Sequence, residues 1–318
     1  MIKYINSILT SNNTNEATYK WLLSIAIIYA GVKLVNNVKT PFTVAEGFTQ
    51  SKPYVYKKNE DIYDDFTAEI YDVLNDTHKN TNWELAQMVR LTSPDTNNSV
   101  FLDIGSGTGN TVNLLQKSGY KAYGVDNSQS MIDHCEKMYP KVDVFKADVR
   151  DSMVFDRASF THILCTKMTI YQFNDKKQFL SNCFHWLMPN GYLFLHLVDR
   201  KRFNIVNPVK NDEIKWTPLV PEKKKRITNI TSEYDDFTYK AYYSFPVNLE
   251  ETNTIYYTET FTDKVSKNIR HNEMKLYMED IRTILDIAKQ VGFIFHAKVD
   301  MEDIGDDNQY LYILERPH

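Results

Sequence analysis

Cysteine is scarce in this chain: Cys135, Cys165 and Cys183 are the only three in 318 residues. They fit no metal-ligand spacing and no disulfide framework, which points to a reducing compartment. Excess positive charge is also missing. A net charge of -4 gives no whole-protein field to attract nucleic acid, and no nucleic-acid partner is expected. A full-length apolar span is lacking too. The longest uncharged apolar run, Trp21 to Val32, falls short of the ~20 residues that normally cross a bilayer. The remaining composition, 42% hydrophobic and 25% charged, is that of an ordinary globular protein.

The short run still carries information. Lys20 and Lys33 flank it and could snorkel, and Trp21 and Tyr29 suit an interface. It has no polar face, unlike a helix that packs on a core. Residues 1–36 are therefore read as a segment with a hydrophobic anchor helix, and 37–60 as a linker. A buried helix or a cleaved signal is the plain alternative. Lys33, Lys39, Lys52, Lys57 and Lys58 follow the run, whereas only Lys3 and Lys20 precede it. The positive-inside rule then predicts a membrane-associated protein with its large C-terminal part in the cytosol, the alternative being a soluble cytoplasmic protein.

From about Tyr63 the pattern changes. "SVFLDI", "KAYGVD", "KVDVFKAD", "THILCT" and "GYLFLHLV" read as strands, separated by helical stretches such as "NTVNLLQKSG" and "SQSMIDHCEKMY". Short connections and near-continuous apolar strands predict a doubly wound α/β sheet covered on both faces.

"VFLDIGSGTGN", Val100 to Asn110, ends the first of these strands. Glycines there let the backbone turn tightly and approach a ligand closely. The helix that follows offers free N–H groups. Asp126, about 20 residues on at the end of the next strand, is placed to meet ribose hydroxyls. Yet the dinucleotide pattern wants a glycine at the sixth position, and from Gly105 that position is Asn110. Asp103 precedes the glycines and is read as facing the cavity mouth. It would repel a pyrophosphate and attract a cationic amino-acid moiety. A ribose and a positive end together describe S-adenosylmethionine.

On these residues the chain resembles the class I S-adenosylmethionine-dependent methyltransferases. "LDIGSGTGN" looks like their first motif, "GVDNSQSMI" the second, "KADVRD" the third, "THILCTKMTIYQF" the fourth, and "LMPNGYLFLHLVD" the strand-turn after it. "DIAKQVGFIFHAKVDM" and "QYLYILER" look like the last helix and closing hairpin. The resemblance implies a seven-stranded Rossmann-like methyltransferase sheet formed by 61–203 and 265–318. It implies S-adenosylmethionine as cofactor, held by Asp103, Gly105, Ser106, Gly107, Gly109, Asp126, Asn127, Met131, Asp148, Val149 and Cys165, with no metal. For Cys165 a small core residue is the plainer reading. Tyr171, just after the fourth strand, sits at the family's acceptor-facing position and is taken to orient the substrate.

Residues 204–264, rich in Thr, Tyr and alternating charge, read as antiparallel strands with solvent on one face. By the family's layout this β-rich insertion after the fifth strand would be a substrate lid. "HNEMKLYMEDIRTILDIAKQVG" is read as returning to a helical period. His162, His185 and His196 are read as packed or surface residues, and "PEKKKR", Pro221 to Arg226, as a solvated loop. No Asn/Asp-Pro-Pro-Tyr/Phe and no Pro-Cys follows the fourth strand. That demotes acceptors such as nucleobase amino groups and cytosine carbon-5. A small molecule, a lipid head group or a protein side chain is left as acceptor. The alternative is an inactive binding or scaffold module on the same fold.

Overall fold

The computed structural model describes residues 50, 52–75, 77–205, 227–246 and 252–318. The expected anchor helix and the Pro221–Arg226 loop lie outside the described residues. Among the described residues no helix is long and apolar enough to cross a membrane.

Seven strands build the main sheet: β2 (Val100–Ile104), β3 (Lys121–Asp126), β4 (Val144–Lys146), β5 (Phe160–Cys165), β6 (Leu187–Val198), β11 (Ile294–Asp300) and β12 (Gln309–Glu315). Their order is β11-β12-β6-β5-β2-β3-β4. β2 to β6 pair in parallel, and β12 closes antiparallel on β6. Side chains alternate between two buried faces. Leu102, Ile163, Leu193 and Leu195 enter one core cluster, while Phe101, Leu164 and Phe194 enter the other. A strand buried on both sides has few positions for polar residues, hence the nearly continuous apolar runs, broken by Asp103, His162 and His196. The helices that cover these faces include α3 (Asn110–Lys117), α4 (Gln129–Met138), α5 (Lys176–Trp186) and α6 (Ile281–Val291). The expected cap on α4 forms: Ser128 Oγ accepts the Met131 N–H at 3.1 Å.

A second sheet has the order β1-β10-β9-β8-β7, from β1 (Tyr54–Lys58), β7 (Asn229–Glu233), β8 (Phe237–Ser244), β9 (Thr254–Asp263) and β10 (Ile269–Tyr277). One face packs on α1 (Asp65–Asn75), with Ile70 and Leu74 against Phe237, Tyr239 and Phe261. Two expectations are corrected here. Tyr54–Lys58 is not linker but an edge strand, parallel to β10. "HNEMKLY" is not helix but part of β10, antiparallel to β9 through all nine of its residues. The inward face of β10 hides its period because two of its members are polar. Arg270 and Asn272 are buried beside Leu276. Arg270 pairs with Asp64 at 2.9 Å and lies 4.6 Å from the Phe66 ring centroid. Such polar residues read as solvent-facing until their partners are known.

Candidate active site

β2 ends in the glycine loop, and the loop turns left-handed at each glycine. Gly105, Gly107 and Gly109 have φ of 69, 53 and 79°. A Cβ on Gly105 would stand 2.9 Å from Thr169 Cγ2, so only glycine fits the approach. Asp126 at the end of β3 ties the loop down. Its carboxylate accepts the Gly107 N–H and the Ser128 N–H, each at 2.9 Å. Burial raises its pKa while these backbone donors lower it. A carboxylate has about four acceptor positions, so the backbone donors leave room for a ligand.

Gly105, Gly107, Asp126, Asn127, Met131, Asp148 and Val149 all line one cavity of about 670 Å³. Five other expected residues stand off its wall. Asp103 does not face the mouth: it is 3% exposed, and burial pushes its carboxyl up to about 7 against the pull of Lys167. Ser106 turns onto Gly124, Gly109 onto Cys135, and Cys165 is buried in the sheet core. Tyr171 is the clearest correction. It is fully buried, and its hydroxyl accepts the Val198 N–H at 2.9 Å, pinning β6 rather than a substrate. Within the cavity Asp148 is held by Arg150, whose Nε reaches both carboxylate oxygens at 2.8 and 2.9 Å; these hydrogen bonds keep its pKa low.

The cavity also has walls that sequence reasoning missed. The segment from β1 onward crosses its mouth with Lys58, Glu60 and Tyr63. Glu60 ion-pairs with Arg150 at 3.1 Å and accepts Asn127 Nδ2 at 3.1 Å. The Tyr63 hydroxyl accepts Gln172 Nε2 at 3.0 Å.

A second cavity of about 210 Å³ lies beneath the second sheet. Tyr63, Tyr71, Lys167, Gln172 and Met274 line both. Tyr239, Tyr243, Tyr257 and Phe261 supply its aromatic side, from β8 and β9. The alternation of those strands was the available signal, since Tyr257, Glu259 and Phe261 share one face of β9. Lys167 and Met168 after β5 adopt left-handed φ values of 50 and 63°. Two consecutive non-glycine residues there cost about 1–2 kcal/mol each, and the strain carries both side chains into this cavity.

Glu84, on α2 (Thr77–Thr92), lines the same cavity at 3% exposure, and burial pushes its carboxyl up from 4.5 to about 7. Between those pH values the folded state keeps a proton that the unfolded state releases. Stability from this residue therefore falls as pH rises through that window. Glu84→Gln is expected to gain roughly 3 kcal/mol relative to wild type between pH 4.5 and pH 8. Denaturant titrations at the two pH values measure it, and a pH-independent difference contradicts it.

Residues 101–191 match a family model described as a methyltransferase domain. Solved structures share the fold. A S-adenosylmethionine-dependent methyltransferase from Clostridium acetobutylicum ATCC 824 is similar at 15% identity and TM-score 0.59, over 80% of this chain and 98% of that one. The CcbJ methyltransferase from Streptomyces caelestis is similar at 12% and 0.61, over 80% and 98%. CalS10 from Micromonospora echinaspora, an amino pentose methyltransferase solved with S-adenosylmethionine bound, is similar at 18% and 0.52, over 75% and 91%. No curated protein sequence matches. Residues 101–191 thus carry a methyltransferase domain, on a fold shared with S-adenosylmethionine-dependent methyltransferases. The free acceptor positions of Asp126 and the close backbone at Gly105 and Gly107 fit S-adenosylmethionine, the group bound in CalS10.

Proposed function

We propose that the protein transfers a methyl group from S-adenosylmethionine to a small molecule held under the second sheet. The observation that carries this is the pair of cavities with shared walls, one lined by the glycine loop and Asp126, the other by β8, β9 and β10. The cofactor supplies a methyl group on cationic sulfur, already activated for displacement. The protein's part is then to align a nucleophile and exclude water. Asp126 would take the ribose hydroxyls, Met131 and Val149 the adenine side, and Asp148 an adenine edge. Tyr63, on the wall common to both cavities, would close the reacting space. An acceptor pocket roofed by a sheet favours a small molecule over a lipid head group or a protein side chain. That CalS10 is an amino pentose methyltransferase supports the same reading. The region from β7 through β10 acts as the lid, and it runs on to Tyr277, past the limit of 264 expected from sequence.

Calorimetry tests the core of this reading. S-adenosylmethionine is expected to bind the full-length protein, while NAD, which wants the missing sixth-position glycine, is not. Binding of NAD in its place, or of neither, defeats the proposal. An inactive scaffold would bind the cofactor yet release no labelled methyl group to any small molecule of a cell extract.

A further inference from the structure

Several polar groups on the wall of the smaller cavity can only accept. Glu259 Oε1 accepts the Tyr239 hydroxyl at 2.7 Å and the Tyr257 hydroxyl at 3.3 Å, and Oε2 accepts Asn272 Nδ2 at 3.2 Å. The two phenol oxygens are 2.9 Å apart. Whichever hydroxyl donates to the other, both phenolic protons are spent inside the cluster, and only lone pairs remain for a ligand. His196 on β6 repeats the pattern. Its Nε2 meets the Gln309 carbonyl oxygen at 3.0 Å, which can only accept, so the ring proton sits on Nε2. That leaves Nδ1 as a bare acceptor. It has no partner, in a side chain only 5% exposed. Asn80 Oδ1, on α2, is likewise buried without a donor. Apart from Asn272, all these residues line the one cavity.

Charge points the same way. Three carboxyl groups, those of Glu84, Glu259 and Asp306, line the cavity with one ammonium among the described residues, Lys167, so the acids outnumber it even while Glu84 keeps its proton; the charge of Lys167 also acts on Glu84 and on Asp103. Buried polar atoms without partners are rare and call for a ligand that completes them. A wall of acceptors with net negative charge is completed by a ligand that only donates and carries positive charge. The faces of Tyr63 and Tyr243 on the same wall also attract a cation.

We propose that this cavity takes the methyl acceptor as a protonated primary or secondary amine, gripped by the Tyr239–Tyr257–Glu259 cluster and His196. The proposal rests on the methyltransferase reading above and names its substrate class. An amine reacts only through a free lone pair, so the bound ammonium must first give up one proton. That proton passes from nitrogen to a wall carboxylate, leaving a neutral amine and a carboxylic acid, with the total charge unchanged. An alcohol of the same shape brings one donor and no charge, and leaves the buried acceptors short.

Calorimetry on the full-length protein, with S-adenosylhomocysteine present, compares two pairs of probes: benzylamine with benzyl alcohol, and cyclohexylamine with cyclohexanol. At least one amine is expected to bind tenfold or more tightly than its alcohol, the scale of one or two charge-assisted hydrogen bonds. Glu259→Gln and Tyr239→Phe should each shrink that preference toward unity while S-adenosylmethionine binds as before. The second variant keeps the ring and answers the question if the first does not fold. Equal or better binding of both alcohols overturns the proposal. So does binding of none of the four probes, or a preference that survives in both variants. Failure of the wild type to bind S-adenosylmethionine is a different result, and defeats the methyltransferase reading itself.

Discussion

Asp126→Ala is expected to weaken S-adenosylmethionine binding roughly ten- to a hundredfold, the effect of losing hydrogen bonds to an ionised group worth about 1.5–3 kcal/mol. Two effects combine in that variant. The ribose loses its carboxylate, and the loop loses the bond that ties the Gly107 N–H to β3. A probe lacking both ribose hydroxyls, 2′,3′-dideoxyadenosine, separates them. If the carboxylate acts on the ribose, wild type and variant bind this probe alike. If the loop itself has collapsed, both ligands lose affinity together. Unchanged binding of S-adenosylmethionine to the variant removes Asp126 from the cofactor site.

Gly109→Ala should destabilise the fold by about 3 kcal/mol, or roughly 10 °C in melting temperature for a domain of this size. The position is doubly restricted. Its φ of 79° costs an L-residue about 1–2 kcal/mol, and an added Cβ would lie 2.1 Å from Cys135 Sγ. Cys135 sits on α4, so the methyl group would push that helix off the glycine loop. Placing the same substitution in a Cys135→Ala background removes the sulfur. About half of the penalty should then disappear, leaving the backbone share. Thermal melts of the four proteins give the cycle. A penalty of the same size with and without the sulfur would falsify the steric account.

The cofactor half of the molecule was legible because its chemistry is local. A glycine loop, the strand before it and an acid at the next strand end lie within 27 residues, Val100 to Asp126. Backbone geometry forces those residue types at that spacing. Distinguishing wall from support was harder. Asp103, Ser106, Gly109 and Cys165 belong to the right motifs, but alternation along a strand or turn sends neighbours to opposite sides. Tyr171 was misjudged for a related reason: a position next to a strand end says nothing about which way the ring turns. The acceptor half was hardest to read. Tyr239, Glu259, His196 and Glu84 come from four elements far apart in sequence, and none lies in a short motif. β1 escaped because five residues with exposed alternate positions resemble linker, and only pairing with β10 makes them a strand.

That last strand bears on the order in which the molecule can be finished. Lys58, Glu60 and Tyr63 close over the cofactor cavity from a segment held by β10, with the Lys275 N–H reaching Asn59 Oδ1 across 216 residues and Arg270 reaching Asp64 across 206. Contacts of such separation form late, since the loop entropy must be met before they return anything. A nascent chain emerging from the ribosome can therefore complete the glycine loop and Asp126 well before it completes the wall above them. Until Ile269–Tyr277 is made, the binding motif is present and the enclosure is not. Cofactor met during synthesis would find an open groove, and only the finished chain can retain it.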